Sequence, residues 1–278
     1  MVGSVGLSSV GRLLMSMKAF LCQAGAGLFD GTNDWLKLGA DMSSNADGTQ
    51  GIFSVWLTFS AATNVQRYIY ANAEKTILIE RTSAGKFQVT LKNSGGTSSL
   101  IFTGSTSYGV GGVISTGQKY AHIAITWDTN FSAGNKKCQI YIDGVAEALT
   151  ITDADPAFTV KYTGTQHGLM ANIADGSAKW AGSVGCLYYN NQAYLDLAIP
   201  ANLAKLRQVY IGNGFPSLMG TNGSAVTLSQ PIIFLNNDFS TFGNNLGYGG
   251  GFSVQGALTA ADPVSPCLLP ESTVIIPE

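Results

Sequence analysis

Apolar and polar side chains alternate with a period of two through segment after segment of this chain, a spacing that sends successive residues to opposite faces of a strand. In residues 51–59, Phe53, Val55, Leu57 and Phe59 share one face, while Ile52, Ser54, Trp56 and Thr58 share the other. Residues 119–128 repeat the pattern, with Ala121, Ile123, Ile125 and Trp127 on one side and Tyr120, His122, Ala124 and Thr126 on the other. Cys138, Ile140 and Ile142 form the matching inward set across the following loop. Further strand-like runs cover 66–70, 76–81, 86–92, 98–102 and 136–143, separated by turn formers such as Ser83-Ala84-Gly85 and Ser94-Gly95-Gly96. This predicts an antiparallel meander, in which Asp143-Gly144 closes a tight hairpin because glycine tolerates positive φ. A later strand pair, 166–173 and 179–190, is expected to return the chain to the sheet.

One helix is expected, over 200–210, where Leu203, Leu206 and Tyr210 recur at helical spacing between Pro200 and Gly212. Beyond it Gly, Asn, Ser and Pro dominate, around apolar runs at 231–235 and 252–258. A chain of 278 residues is long enough for one large all-β body with extensions. The expected organisation is an N-terminal arm and first strand in 1–27, a main β domain in 28–211, and a C-terminal extension in 212–278 packing on that domain or on a neighbour. The last stretch, with Leu268, Leu269, Val274, Ile275 and Ile276, is too apolar to stay in water without cost, which suggests docking against another subunit.

Charge narrows the partners. Charged residues make up 12% of the chain against roughly 25% in an ordinary soluble domain, and 34 residues are glycine. That mixture suits short strands, tight turns and a surface partly covered by neighbours. A net charge of -2 supplies no basic stripe, so nucleic-acid binding is not expected. No apolar run reaches the roughly 18 residues of a spanning helix, and membrane insertion is not expected. Residues 1–26 imitate a signal peptide only faintly because Lys18 interrupts their apolar stretch, so cleaved secretion is not expected either. Cys22, Cys138, Cys186 and Cys267 are far apart and lack any C-x-x-C spacing, which favours reduced thiols, with Cys138 and Cys186 as small core residues.

Four segments, in order, resemble the concanavalin A-like, laminin-G-like family. Phe29-Asp30-Gly31-Thr32-Asn33-Asp34-Trp35-Leu36 resembles its FDGxxDYL opening, and Gly51-Ile52-Phe53-Ser54-Val55-Trp56 its following strand. His122-Ile123-Ala124-Ile125-Thr126-Trp127-Asp128 with Gln139-Ile140-Tyr141-Ile142-Asp143-Gly144 is similar to the family hairpin, and the run from Trp180 to Tyr189 to its closing strand. The resemblance covers roughly residues 28–210 and implies an all-β, two-sheet antiparallel jelly-roll sandwich with one short helix near 200–210. The composition and the segments Gly249-Gly250-Gly251-Phe252 and Gly256-Ala257-Leu258-Thr259 further resemble members of that fold among tailed-bacteriophage structural proteins.

Fold does not decide function, so the site residues have to. Glycosidases of this fold place two carboxylates about the scissile bond, typically within E-x-D-x-E. Glu74, Glu80, Glu147, Glu271 and Glu278 are scattered, and none lies two positions from another acid. A serine nucleophile needs a histidine base, and only His122 and His167 exist, neither beside a G-x-S-x-G sequence. His122 reads as a structural residue of the hairpin and His167 as a surface or hydrogen-bonding one. No enzyme is expected. Calcium is the cofactor to consider, with Asp30, Asn33, Asp34, Asp128 and Asp143 as the candidate ligands that the family's loop sites imply. Candidate glycan contacts are Tyr188, Tyr189, Asn190, Asn191 and Tyr194, rings that stack on sugars beside amides that read hydroxyls. The expected function is a non-enzymatic structural virion protein, a capsid decoration, fibre or tail-associated component whose partners are other virion subunits and copies of itself. The alternative is a lectin-like carbohydrate-binding module for cell-surface attachment, placed outside the cell or on its surface.

Overall fold

The computed structural model describes residues 26–59, 65–97, 99–108, 120–153, 155–207 and 219–261. The N-terminal arm, the apolar C-terminal stretch, Tyr210, Cys22 and Cys267 lie outside the described residues.

Sixteen strands form two antiparallel sheets among these residues. The front sheet runs β10 (Val145–Ala146), β9 (Lys137–Ile142), β8 (Ala121–Asp128), β3 (Gln50–Leu57), β13 (Ala181–Asn190), β1 (Ala26–Asp30) and β16 (Thr259–Ala260), with β14 (Ile233–Leu235) also paired to β13. The back sheet runs β11 (Leu149–Asp153), β7 (Ser99–Gly104), β6 (Phe87–Lys92), β5 (Ile77–Arg81), β4 (Arg67–Asn72), β12 (His167–Leu169), β2 (Trp35–Leu38) and β15 (Ser253–Gln255). One helix, α1 (Pro200–Arg207), and a single 3-10 turn at Phe239–Thr241 complete the described elements. The expected jelly-roll sandwich is what the chain forms.

Period-two alternation explains the packing. Phe53, Val55 and Leu57 of β3 and Ala121, Ile123, Ile125 and Trp127 of β8 enter the space between the sheets, where they meet Ile77, Ile79, Phe87, Val89, Leu91, Leu100 and Phe102 of the back sheet. The opposite face of the front sheet is buried as well. Ile52, Trp56, Ala124, Cys186 and Tyr188 pack there under Leu197, under Leu203 and Leu206 of α1, and under Met219, Val226 and Phe234. The body therefore has three layers, and both faces of β3 and β8 are interior.

Two glycines are required by geometry. Gly51 pairs directly with Trp127, and a Cβ at position 51 would lie 2.1 Å from the indole. Asp143 and Gly144 both adopt positive φ, 51° and 85°, which is the two-residue hairpin turn that matches strand twist; its second strand is the short β10.

The structure departs from expectation at the later strand pair. β12 joins the back sheet between β4 and β2, whereas β13 joins the front sheet between β3 and β1. Met170, at φ 66°, turns the chain out of β12, and an Asn172-to-Ser177 turn carries it across to Trp180. β13 itself carries a bulge between Gly185 and Tyr188, with Cys186 at φ 39°. The extra residue inverts the alternation, so that Cys186 and Tyr188 face the outer layer while Leu187 and Tyr189 face the sandwich core. The described part of the C-terminal segment contributes β14 and β16 to the front sheet and β15 to the back sheet.

Candidate functional site

Burial of both faces of the front sheet decides the fate of the proposed glycan contacts. Tyr189 is fully buried among Tyr70, Phe53, Trp127 and Tyr162, with ring centroids 5.0 to 6.4 Å away. Tyr188 is fully buried in the outer layer, edge-on to Phe234 with ring centroids 6.4 Å apart. Neither ring can stack on a sugar arriving from solvent. Asn190 accepts from the backbone N–H of Gln192 at 3.0 Å and donates to the Thr227 hydroxyl at 3.1 Å. Asn191, also buried, donates to Asn45 Oδ1 at 2.8 Å and ties two loops together. The amide nitrogens of both are committed inside the fold.

Tyr194 is different. It is half-buried in the loop after β13, and the Lys137 ammonium lies 5.3 Å from its ring centroid and 5.0 Å from that of Phe131. Lys137 opens β9 opposite Asp128, which places all three at the loop end of the front sheet. Gln139 fastens the Tyr194 loop to β9, donating to Asp196 Oδ1 at 2.8 Å and accepting from the Leu197 N–H at 2.7 Å. Leu195 N–H reaches the Thr126 hydroxyl at 3.4 Å. Burial, reinforced by Asp196 and Asp128, pushes the Tyr194 phenol up to about 12, so it stays a neutral donor. Exposed Asn130 directly precedes Phe131 and exposed Gln192 lies two positions before Tyr194, its side chain donating to the Ala46 carbonyl at 2.8 Å, while Asp128 is buried and accepts from Gln50 Nε2 at 2.7 Å and from the Asn130 N–H at 2.9 Å. Two aromatic rings sharing a cation, with exposed amides close by in sequence, can bind a polar ring that has apolar C–H faces. Phe131 and Lys137 were not singled out from the sequence. The only available signal is a lone aromatic in the polar loop 129–135.

The five candidate calcium ligands do not converge. Asp30 uses Oδ1 to accept the backbone N–H groups of Thr32, Asn33 and Asp34 at 2.7, 3.0 and 3.4 Å, which is a local turn. Buried Asp34 accepts from Ala257 N–H at 2.8 Å. Asp128 and Asp143 sit at opposite ends of the β8–β9 hairpin, and Asp143 accepts the backbone N–H of His122 at 2.9 Å. Asp30 and the Asp143 turn are four strands apart in the front sheet, about 19 Å. Among the described residues no group of three or more His, Cys, Asp and Glu is placed to hold a metal ion. This set does not fit one cation.

Both histidines are fully buried, so His167 is not a surface residue. Its Nε2 lies 2.8 Å from Asp41 Oδ1 and its Nδ1 2.9 Å from the Tyr70 hydroxyl, a chain of hydrogen bonds from a loop into the core. His122 Nε2 lies 2.9 Å from Ser54 Oγ, within the reach of a nucleophile and base, but both are closed to solvent and Asp143 meets the His122 backbone and not its ring. Burial, then the charge of Arg207, pushes His122 down to about 3, which makes it a poor base. Glu147 accepts from Thr106 and Tyr108, and Glu80 from Gln66 and Gln88, so each of these acids is held by local donors. Cys138 and Cys186 are free thiols, both pushed up to about 12 by burial. No helix among the described residues is long and apolar enough to cross a membrane.

No protein-family description matches this chain, and no curated protein matches it in sequence. Solved structures do. A native heptameric SAP-like pentraxin from Limulus polyphemus superposes with TM-score 0.52 at 11% identity, over 88% of this chain and 97% of that one. A proposed carbohydrate-binding protein from Bacteroides ovatus superposes with TM-score 0.58 at 11% identity, over 88% of this chain. This chain spans 62% of the length of that protein. The LG4-5 domains of the mouse laminin α1 chain align at TM-score 0.43 and 14% identity, over 64% of this chain and 44% of that one. At such identities the likeness of the first two establishes a shared jelly-roll sandwich fold.

Proposed function

We propose that this chain is a non-catalytic, lectin-like carbohydrate-binding module that takes glycans at the Tyr194 end of the front sheet. The observation that carries the reading is the pair Tyr194 and Phe131 sharing the Lys137 cation, with exposed Asn130 and Gln192 close by in sequence. The carbohydrate binding attributed to the Bacteroides ovatus protein, which has this fold, supports the same reading. The shared cation favours glycans carrying a carboxylate or other acidic group. Such a module works outside the cell or on its surface, where glycans are displayed.

The virion reading rests on low charge, the absence of a catalytic constellation, the apolar terminal segments and the resemblance carried by residues 249–252 and 256–259; the terminal segments lie outside the described residues, and neither of the two superposed structures is a virion protein. It is therefore the less supported of the two. Assembly into an oligomer remains part of the proposal, since several weak glycan sites on one particle gain avidity.

The test is a glycan array followed by calorimetry on the hits. The proposal expects a coherent set of bound glycans whose affinity falls in Tyr194→Ala and Phe131→Ala. Absence of any bound glycan, or equal binding by both variants, overturns it.

A further inference from the structure

Four buried polar atoms on the outer face of the front sheet have no hydrogen-bond partner: Trp56 Nε1, the Tyr120 hydroxyl, His122 Nδ1 and Arg207 Nε. Buried groups are almost always paired, so four in one region call for an occupant. The fold brings them together. Trp56 and His122 are directly opposite on β3 and β8, with ring centroids 4.9 Å apart. Tyr120 precedes His122 by two residues and packs with the same outer cluster as Trp56 and Leu206. Arg207 approaches from the last turn of α1, where it lies against Gly144 so closely that a Cβ there would stand 2.4 Å from its Nη1. Ser183 comes near the Tyr120 hydroxyl and the Leu206 carbonyl near the His122 ring, but neither meets hydrogen-bond geometry.

The donor count identifies the chemistry. Trp Nε1–H and Arg Nε–H can only donate, and the Tyr120 hydroxyl is free to donate. No carboxylate lies within ion-pair distance of Arg207 among the described residues, and Asp143, next to Gly144, has turned its Oδ1 to the His122 backbone. Neutral His122 joins these donors in the tautomer whose Nδ1 carries the proton while Nε2 accepts from Ser54 Oγ at 2.9 Å, and a neutral sugar would need acceptors as well as donors. A group that only accepts, and carries one negative charge or more, matches what is offered.

We propose that Trp56, Tyr120, His122 and Arg207 form a binding site for a small oxyanion, a carboxylate or a phosphate, between the outer face of the front sheet and α1. The site is distinct from the Tyr194 platform. His122 is six residues from Asp128 along β8, about 20 Å.

The experiment titrates acetate and, separately, inorganic phosphate into the full chain while following tryptophan fluorescence, and soaks crystals in each. A saturable fluorescence change is expected with at least one of the two, weakened about tenfold or more by Arg207→Gln and by Tyr120→Phe. Density for the anion is expected within hydrogen-bond distance of Trp56 Nε1. Tyr120→Phe keeps the packing, so it serves if Arg207→Gln does not fold, and glycan binding at Tyr194 is expected to be unchanged in it. Flat titrations, an occupant that proves to be ordered water only, or an adventitious ion only that binds the Tyr120→Phe variant as well as the parent, overturn the proposal.

Discussion

The Lys137 ammonium stands 5.3 Å from the centroid of the Tyr194 ring, held there by a strand on one side and a fastened loop on the other. The fastening makes a prediction separate from the contact itself. Gln139→Ala removes two of the bonds that anchor the Tyr194 loop, leaving Leu195 N–H to Thr126, and it leaves the rings in place. It is expected to weaken glycan binding several-fold, with a smaller loss than Tyr194→Ala, whose truncation of a central ring should cost about tenfold or more, ~1.4 kcal/mol. Calorimetry on the two variants checks the order.

Lys136 and Asp153 form an ion pair with side chains 0% and 2% exposed. The ammonium also donates to the Asp155 carbonyl at 2.6 Å, and the carboxylate accepts the Gly134 N–H at 2.7 Å. Asp153→Ala strands a buried cation and is expected to destabilise the fold by about 3 kcal/mol or more. Paired replacement by Met and Leu should recover most of that loss. Guanidinium unfolding of the single and double variants measures both.

Gly51→Ala drives a methyl group into the Trp127 indole, which is fully buried and donates to the Tyr162 hydroxyl at 2.7 Å. The indole has no room to yield. A loss of about 3 kcal/mol is expected, read as a lowered denaturant midpoint at an unchanged slope.

Acid is expected to weaken the fold. Burial, only partly offset by Asp41, holds His167 below the usual imidazole value, and burial with Arg207 pushes His122 down to about 3. Both rings therefore bind a proton less readily in the folded chain than an unfolded imidazole, near pKa 6.5, does. Their contribution is complete above about pH 6.5 and declines on acidification, by roughly 2 kcal/mol at pH 5 for His122 alone. Asp41 acts in the same direction lower down. Burial would raise it, but hydrogen bonds from Asn45, His167 and Gly164 outweigh burial and hold it below its ordinary value. Its contribution is lost as pH falls below about 4. Denaturant titrations between about pH 7 and pH 5 check the first part; a flat profile there contradicts it.

Alternation made the two faces of β3 and β8 legible, because a period of two leaves only one way to sort Phe53, Val55 and Leu57 from Ile52, Ser54 and Trp56. It also placed Leu203 and Leu206 on the buried side of the helix. What it did not reveal was the third layer, since burial of a second face depends on segments distant in sequence. The candidate site suffered most. A one-residue bulge at Gly185–Tyr188 reverses which side chains point inward, and local patterning does not display it. The sequence leaves Tyr188 and Tyr189 open between sugar contacts and core packing, and the structure shows core packing, because both faces of β13 are covered. Phe131, by contrast, sits in an unpatterned loop and Lys137 on the outward side of the 136–143 run, and Tyr194 is brought to them by a loop distant in sequence that Gln139 fastens to β9.

The central claim is that the Tyr194 end of the sandwich binds carbohydrate. Saturation-transfer NMR with an array-identified glycan reads which sugar protons approach the protein, and the same spectra can be taken on Tyr194→Ala. Strong transfer to one face of a sugar ring, lost in the variant while its fold persists, is the predicted result. Transfer that survives the loss of both Tyr194 and Phe131, or none from any glycan tried, contradicts the account.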